Sequence, residues 1–269
     1  MRMNWTCGAL VGLTLSVLAS PATAQAPFQW RGRIAPGQTI EIRGINGDVR
    51  ATASSSADVE VDATRSARRS NPEDVRIEVV PHGGGITICA VYPTPPGDEP
   101  NRCEPGGGGR SNNRNNDTVV HFDVRVPDGV AFVGRTVNGE VSGESLRGNA
   151  EAHAVNGSVR LTTTGRALAS TVNGSVNVRM GRTDWPNKAQ FTTVNGGITL
   201  TMPGRFDADL RAEMLNGDLT SEFPVSVTSS SGSAERPGSP RRLRGTIGNG
   251  GRELELSTVN GSIRLLRAP

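Results

Sequence analysis

Short stretches of this chain alternate apolar and polar residues with a period of two. Val119–Val126 reads V-V-H-F-D-V-R-V, Phe206–Leu210 reads F-D-A-D-L, and Leu254–Leu256 reads L-E-L. Successive side chains of an extended strand point to opposite faces, so this pattern predicts strands with one buried and one wet face. Beyond the N-terminal stretch no segment shows a convincing 3.6-residue period. Gly and Pro also punctuate the chain too often for long helices. The expected fold class is all-β.

Between the strand-like runs one pentapeptide recurs. The pattern [VIL]-Asn-Gly-x-[VIL] occurs seven times, at Asn46-Gly47, Asn138-Gly139, Asn156-Gly157, Asn173-Gly174, Asn195-Gly196, Asn216-Gly217 and Asn260-Gly261. The last six are spaced by 18, 17, 22, 21 and 44 residues. The gap of 44 is twice 22, so one unit has either lost its Asn-Gly or been widened by an insertion. Val225–Gly251, rich in Ser, Gly, Pro and Arg, is the candidate insertion. The 92 residues from Asn46 to Asn138 hold strand-like runs but no further copy.

Two architectures fit a unit of 17–22 residues. In an antiparallel meander each Asn-Gly is a two-residue hairpin loop, whose type I′ turn needs positive φ at both central positions. In a β-solenoid each unit is one coil and each Asn-Gly a corner, again needing residues that tolerate positive φ. The near-identity of the copies favours the solenoid. Unrelated turns would serve separate hairpins equally well, whereas a coil sets each Asn about 4.8 Å from the previous one and rewards an amide ladder. The aliphatic residues flanking each bend, such as Val137 and Val141, are expected to face inward together.

Residues 1–24 have the layout of a secretory signal peptide: Arg2, an apolar run from Ala9 to Ala19, and the small-x-small end Ala22-Thr23-Ala24. The run is too short to span a bilayer as a helix, and no later segment is long and apolar enough to do so. The expectation is an exported protein (periplasmic, at the cell surface or secreted) with a repeat domain over residues 25–269. Loop insertions are expected at about 92–117, which holds Gly106–Gly109 and the Asn-rich run Asn112–Asn116, and at about 225–250. Gly181–Lys188 is a smaller excursion carrying Trp185.

Two cysteines remain after processing, Cys89 and Cys103. In an oxidising compartment an even pair at this separation reads as a disulfide, closing a Pro-rich loop and contributing about 3 kcal/mol in the chain-entropy model. There is no Cys-x-x-Cys and no His between them to suggest a redox or metal pair. Aromatic residues make up only 4% of the chain and Gly numbers 34 of 269 residues. That suits a thin stacked β structure filled by Val, Ile, Leu and Ala. The net charge of +3 comes almost wholly from Arg. Without a dense basic block interleaved with aromatics, nucleic acid is not an expected partner.

The repeats resemble a known family. T-V-N-G-S-V (Thr171–Val176), T-V-N-G-G-I (Thr193–Ile198), S-T-V-N-G-S-I (Ser257–Ile263) and R-T-V-N-G-E-V (Arg135–Val141) look like the bacterial DUF4097 family, as does the closing segment Gly250–Leu265. Those are β-strand-repeat proteins often labelled adhesins. The resemblance covers roughly Ile40 to Leu266 apart from the loops. It implies a β-helical interaction module, and it brings no catalytic or ligand residues.

The chemistry-bearing residues are few. The three histidines, His82, His121 and His153, match no hydrolase or metalloprotease motif. His121 and His153 fall on wet strand faces. Asp207 and Asp209 stand close enough in sequence for a glycosidase pair, but solvated strand carboxylates are the commoner case. Acid follows Asn-Gly only at Asp48, Glu140 and Asp218, too few for the stacked carboxylates of a calcium-binding β-roll. Trp30 and Trp185 are candidate sugar contacts, with packing over a rung as the plainer role. The Arg-rich stretch Arg236–Arg244 suits a solvated loop or an anionic surface. The expectation is therefore a non-catalytic structural or interaction module without cofactor, metal or catalytic residues. Its expected partner is an unidentified protein or an envelope or extracellular polysaccharide. The alternative is a carbohydrate-binding or carbohydrate-active β-helix protein.

Overall fold

The computed structural model describes residues 27–186, 188–231 and 240–269. The signal-peptide expectation and Arg236 lie outside them. The described chain is all-β, with one 3-10 turn at Pro72–Asp74 whose Glu73 amide donates to the Asn71 side chain. No described helix is long and apolar enough to cross a membrane.

Among the described residues twenty-one strands form two mixed sheets. In chain order they are β1 (Phe28–Gly32), β2 (Thr39–Arg43), β3 (Val49–Ala53), β4 (Val59–Ser66), β5 (Arg76–His82), β6 (Gly85–Val91), β7 (Val119–Val126), β8 (Ala131–Arg135), β9 (Val141–Leu146), β10 (Ala150–His153) and β11 (Val159–Thr163). The second half continues with β12 (Ala167–Ser170), β13 (Val176–Met180), β14 (Lys188–Asn195), β15 (Ile198–Met202), β16 (Ala208–Asn216), β17 (Leu219–Ser221), β18 (Val225–Ser231), β19 (Arg241–Ile247), β20 (Glu253–Asn260) and β21 (Ile263–Arg267). Sheet I runs β1-β4-β7-β3-β9-β11-β13-β15-β21-β17, and sheet II runs β18-β19-β16-β20-β14-β12-β10-β8-β2-β6-β5.

Each Asn-Gly joins a strand of sheet II to the next strand of sheet I, making a rung. Rungs pair in parallel with their neighbours, and equivalent residues face each other: Val159 opposite Val176, Val176 opposite Ile198, Ile198 opposite Ile263. The interior is narrow. In β10 and β12 the inward positions are Ala150, Ala152, Ala167 and Ala169, while Val159, Leu161, Val176, Val178 and Met180 fill from sheet I. A Cβ on Gly134 would lie 2.8 Å from the Phe132 ring and 2.6 Å from Val141 Cγ1, so the large neighbour and the missing side chain go together.

Rung order in space differs from order along the chain. The C-terminal rung, β20–β21, sits between β14–β15 and β16–β17. The first rung, β2–β3, likewise sits between β6–β7 and β8–β9. The β6–β7 rung lacks Asn-Gly; residues 92–118 replace its bend. Antiparallel strands then cover the ends: β4 and β1 beyond β7, β5 beyond β6, and β19 with β18 beyond β16. The stretch expected to be a loop at 225–250 is thus largely the β18–β19 hairpin. This also accounts for the 44-residue spacing by insertion, with no lost unit.

The seven Asn side chains hydrogen-bond in one column. Asn138, Asn156, Asn173 and Asn195 each donate Nδ2–H to the Oδ1 of the preceding Asn at 2.7–2.8 Å. Asn260 donates to Asn195 and Asn216 to Asn260, both at 2.7 Å. At the other end Asn46 donates to the Thr118 carbonyl at 3.3 Å, which the Tyr92 hydroxyl also bonds at 2.8 Å. All seven amides are oriented alike, so the dipoles reinforce along the column.

The glycines answer to two constraints, of which only one was expected. Gly47, Gly139, Gly174 and Gly217 have positive φ, between 118° and 159°, while no Asn of the column has it, nor do Gly157, Gly196 and Gly261. A Cβ on Gly157 would stand 1.8 Å from the Gly139 carbonyl oxygen, and one on Gly196 would stand 2.0 Å from that of Gly174. Close stacking of backbone on backbone excludes the side chain. That carbonyl is in turn bonded by a buried Thr two residues before Asn: Thr136 to Gly47, Thr171 to Gly157, Thr193 to Gly174 and Thr258 to Gly196, at 2.7–2.9 Å. The expectation that Val137 and Val141 both face inward is also corrected. Val141 is fully buried, but Val137, Val155, Val172 and Val194 form an outward stripe, each 38–40% exposed.

Gly157→Ala should therefore destabilise by about 3 kcal/mol, the upper end for overpacking. Gly83→Ala, with open space around it, should change stability by no more than about 0.5 kcal/mol. Thermal or urea unfolding of both variants checks the contrast. Within the amide column Asn173→Ala breaks two hydrogen bonds and Asn216→Ala one. At about 1 kcal/mol per bond, the first should cost about twice the second in the same measurement.

Burial pushes the Tyr92 phenol up to about 12 from its ordinary 10, outweighing the opposing contacts with Asn46. Above pH 10 the unfolded chain loses this proton while the fold retains it. Stability should fall as pH rises from about 10 to about 12, by roughly 1.4 kcal/mol per pH unit. Tyr92→Phe should remove that component, as read from urea midpoints across this range.

Candidate functional site

The outward positions of sheet II form columns at fixed offsets from each Asn. Three residues before it stand Arg43, Arg135, His153, Ser170, Thr192, Ser257 and Glu213; five before it stand Glu41, Val133, Glu151, Leu168, Gln190, Glu255 and Arg211. Parallel pairing sets Arg43 against Arg135, Arg135 against His153, His153 against Ser170, and Ser170 against Thr192. Among these neighbours His153 and Ser170 meet directly through their side chains.

A connected polar chain results. Glu41 is buried and accepts from Thr87 Oγ1 and the Gly106 amide, both at 2.9 Å, and from Arg135 Nε at 3.1 Å. Arg135 Nη2 also reaches Glu151 at 2.7 Å. The same Glu151 oxygen lies 2.5 Å from His153 Nε2, and His153 Nδ1 lies 2.6 Å from Ser170 Oγ. Glu151 and His153 are each about one-third exposed. The His153 hydrogen bond and the Arg135 charge hold the Glu151 carboxyl below the usual carboxylate range, against the opposing effect of its partial burial. With Glu151 ionised, Nε2 carries the imidazole proton, and Nδ1 is left to accept from the Ser170 hydroxyl.

Two excursions rise beside this row. One is the segment 92–118, tied to the sheet by the Cys89–Cys103 disulfide. Arg43 donates to its Glu104 carbonyl at 2.7 Å and to its Gly108 carbonyl. Burial lowers the affinity of the Arg43 guanidinium for its proton below the ordinary value. The other excursion is the turn carrying Trp185 and Pro186. Between that turn and the sheet lies a cleft of about 360 Å³ lined by Val133, Glu151, Leu168, Trp185, Pro186 and Lys188. The backbone N–H groups of Ala154 and Thr171 are engaged with the Ser170 and Thr192 carbonyls, so neither faces the hydroxyl row.

Trp185 borders the cleft although it is itself buried, and the other residues singled out in the sequence do not join this site. Trp185 is 3% exposed and packs in the core, and Trp30 is half-buried against it, its ring over Gly32. Asp207 accepts from the Asn249 amide at 2.9 Å, a turn contact, while Asp209 lies on β16. His121 Nδ1 accepts from the Asp48 amide at 3.2 Å. Asp48 itself accepts from the Glu140 amide of the next rung, and Arg160 pairs with Glu140. Arg241 and Arg242 pair with Asp218 and Glu213. No group of three or more His, Cys, Asp or Glu among the described residues is placed to hold a metal ion. The Glu151–His153–Ser170 contact was readable in principle: His153 and Ser170 are 17 residues apart, the same as Asn156 and Asn173.

No protein-family model matches the chain, and no curated protein matches it. The DUF4097 resemblance therefore rests on the repeated motifs alone. Among solved structures, the chain is similar to a putative cell adhesion protein from Clostridium sporogenes, with 10% identity over 90% of this chain and 100% of that one, at a TM-score of 0.39. It is also similar to a putative adhesin from Bacteroides fragilis, with 11% identity over 90% of this chain and 98% of that one, at a TM-score of 0.40.

Proposed function

We propose that this chain is an exported β-solenoid that acts as an adhesin-like interaction module, presenting the outer face of sheet II to a protein or to an envelope or extracellular polysaccharide. The observation carrying the reading is the cleft between the Trp185 turn and that face. Its floor of Val133 and Leu168 is apolar, and Glu151, Arg135 and His153 beside it are already locked by mutual hydrogen bonds. Groups held in place before a ligand arrives cost less ordering on binding. In this reading the face serves binding, with the neighbouring amides of Ala154 and Thr171 engaged in the strand ladder.

The test is binding of the purified protein to bacterial surface-glycan arrays and to isolated envelope, beside a Val133→Asp/Leu168→Asp variant. Both residues face outward, so the variant should fold. Its affinity should fall at least about tenfold, a loss of about 1.4 kcal/mol. Equal binding by the variant would remove this face from consideration. Sustained turnover of a glycan, abolished by one Asp or Glu substitution, would replace the reading with a carbohydrate-active enzyme.

A further inference from the structure

We infer that Ser170 is a nucleophile activated by His153 and able to take an acyl group from small O-acyl esters. The inference goes beyond the binding role and does not depend on which partner the face meets. Three contacts support it. The Ser170 hydroxyl is 2.6 Å from His153 Nδ1, within reach for proton transfer. The opposite ring nitrogen, Nε2, is 2.5 Å from Glu151 Oε1, which fixes the tautomer that leaves Nδ1 free to accept. Arg135 bridges Glu151 to Glu41 and so positions the carboxylate. Nucleophile, base and orienting acid thus come from two adjacent strands, and a serine triad is recognised by such roles rather than by sequence order. The apolar floor beside Glu151 includes Leu168, two residues before Ser170 on the same face.

In the step, Ser170 Oγ attacks the ester carbonyl carbon and its proton passes to His153 Nδ1. The bond from that carbon to the alcohol oxygen breaks, and the departing alkoxide takes the proton from His153. The products are O-acyl-Ser170 and the free alcohol; no oxidant, reductant or metal takes part. The amides of Ala154 and Thr171 remain in the ladder and do not stabilise an oxyanion. The expected chemistry is therefore one acylation per chain by an activated ester, with slow release, rather than rapid turnover.

The probe is p-nitrophenyl acetate, with nitrophenolate release followed by absorbance and the acetyl group located by peptide mass spectrometry. One equivalent should be released as a burst, with the acetyl on Ser170. Ser170→Ala should abolish the burst. His153→Gln should slow it about 100-fold, the lower range for general-base assistance. Unchanged melting of both variants would show that the fold is intact. The inference is overturned if the acetyl resides on Lys188 or the N-terminus instead, if Ser170→Ala retains the burst, or if His153→Gln reacts as fast as the parent. Loss of envelope binding with the burst intact would sink the interaction reading and leave this one standing.

Discussion

Backbone stacks closely on backbone at the glycines of the bends, and much else follows from it. Each Gly lies so near the carbonyl of its neighbour that a single added carbon would stand about 2 Å from the oxygen. This approach brings the adjoining Asn amides within hydrogen-bond distance, so each donates to the last. It also leaves a carbonyl that a buried Thr hydroxyl bonds from the next rung. Where the Thr position is occupied by Ala154 or Met214, that bond is absent but the amide column continues. The bend is thus held by three elements: a steric requirement for Gly, a side-chain column of Asn, and a supplementary hydroxyl.

Stacking in register creates ends, and the chain protects them by its order of assembly. Both the first and the last rung along the chain are placed one step in from an end, paired on each side. Apart from β1, the first strand, the outermost strands come from segments in the interior of the sequence and carry features that discourage further pairing. Pro81 lies within β5, β17 has three residues and is followed directly by Glu222–Phe223–Pro224, and β18 bears a bulge between Val227 and Ser229. Placing the last rung inward requires that β20 enter between β14 and β16, strands that precede it. The glycine-rich turn at Gly248–Gly251, with positive φ at three of its glycines, provides the reversal.

The same register turns a repeat into a surface. A position outward in one rung is outward in all, so residues about one unit apart in sequence become neighbours about 4.8 Å apart. Elsewhere on sheet II outward residues pair opposite charges, as Lys188 with Glu255 and Arg211 with Glu253. At β2, β8, β10 and β12 the column instead joins two carboxylates, an arginine, a histidine and a serine into one hydrogen-bonded row. The disulfide-held segment buries one end of that row at Glu41, and the other end remains open to solvent at Ser170.

Taken alone, the sequence determined the all-β class, the period of the rungs, the pairing of Cys89 with Cys103 and the alignment of its seven Asn, because each depends on local patterning or on the repeat itself. It pointed to Gly at the bends for part of the reason: positive φ, a local property, holds at Gly47, Gly139, Gly174 and Gly217, whereas the exclusion shared by all seven comes from a neighbouring rung. The inward placement of the terminal rungs, the hairpin at 225–247 and the outward turn of Val137 were decided by tertiary structure, since each depends on which strands become neighbours. The polar row from Glu41 to Ser170 belongs to both levels. Its members were spaced by the repeat, but only the parallel register of four strands brought their side chains into contact.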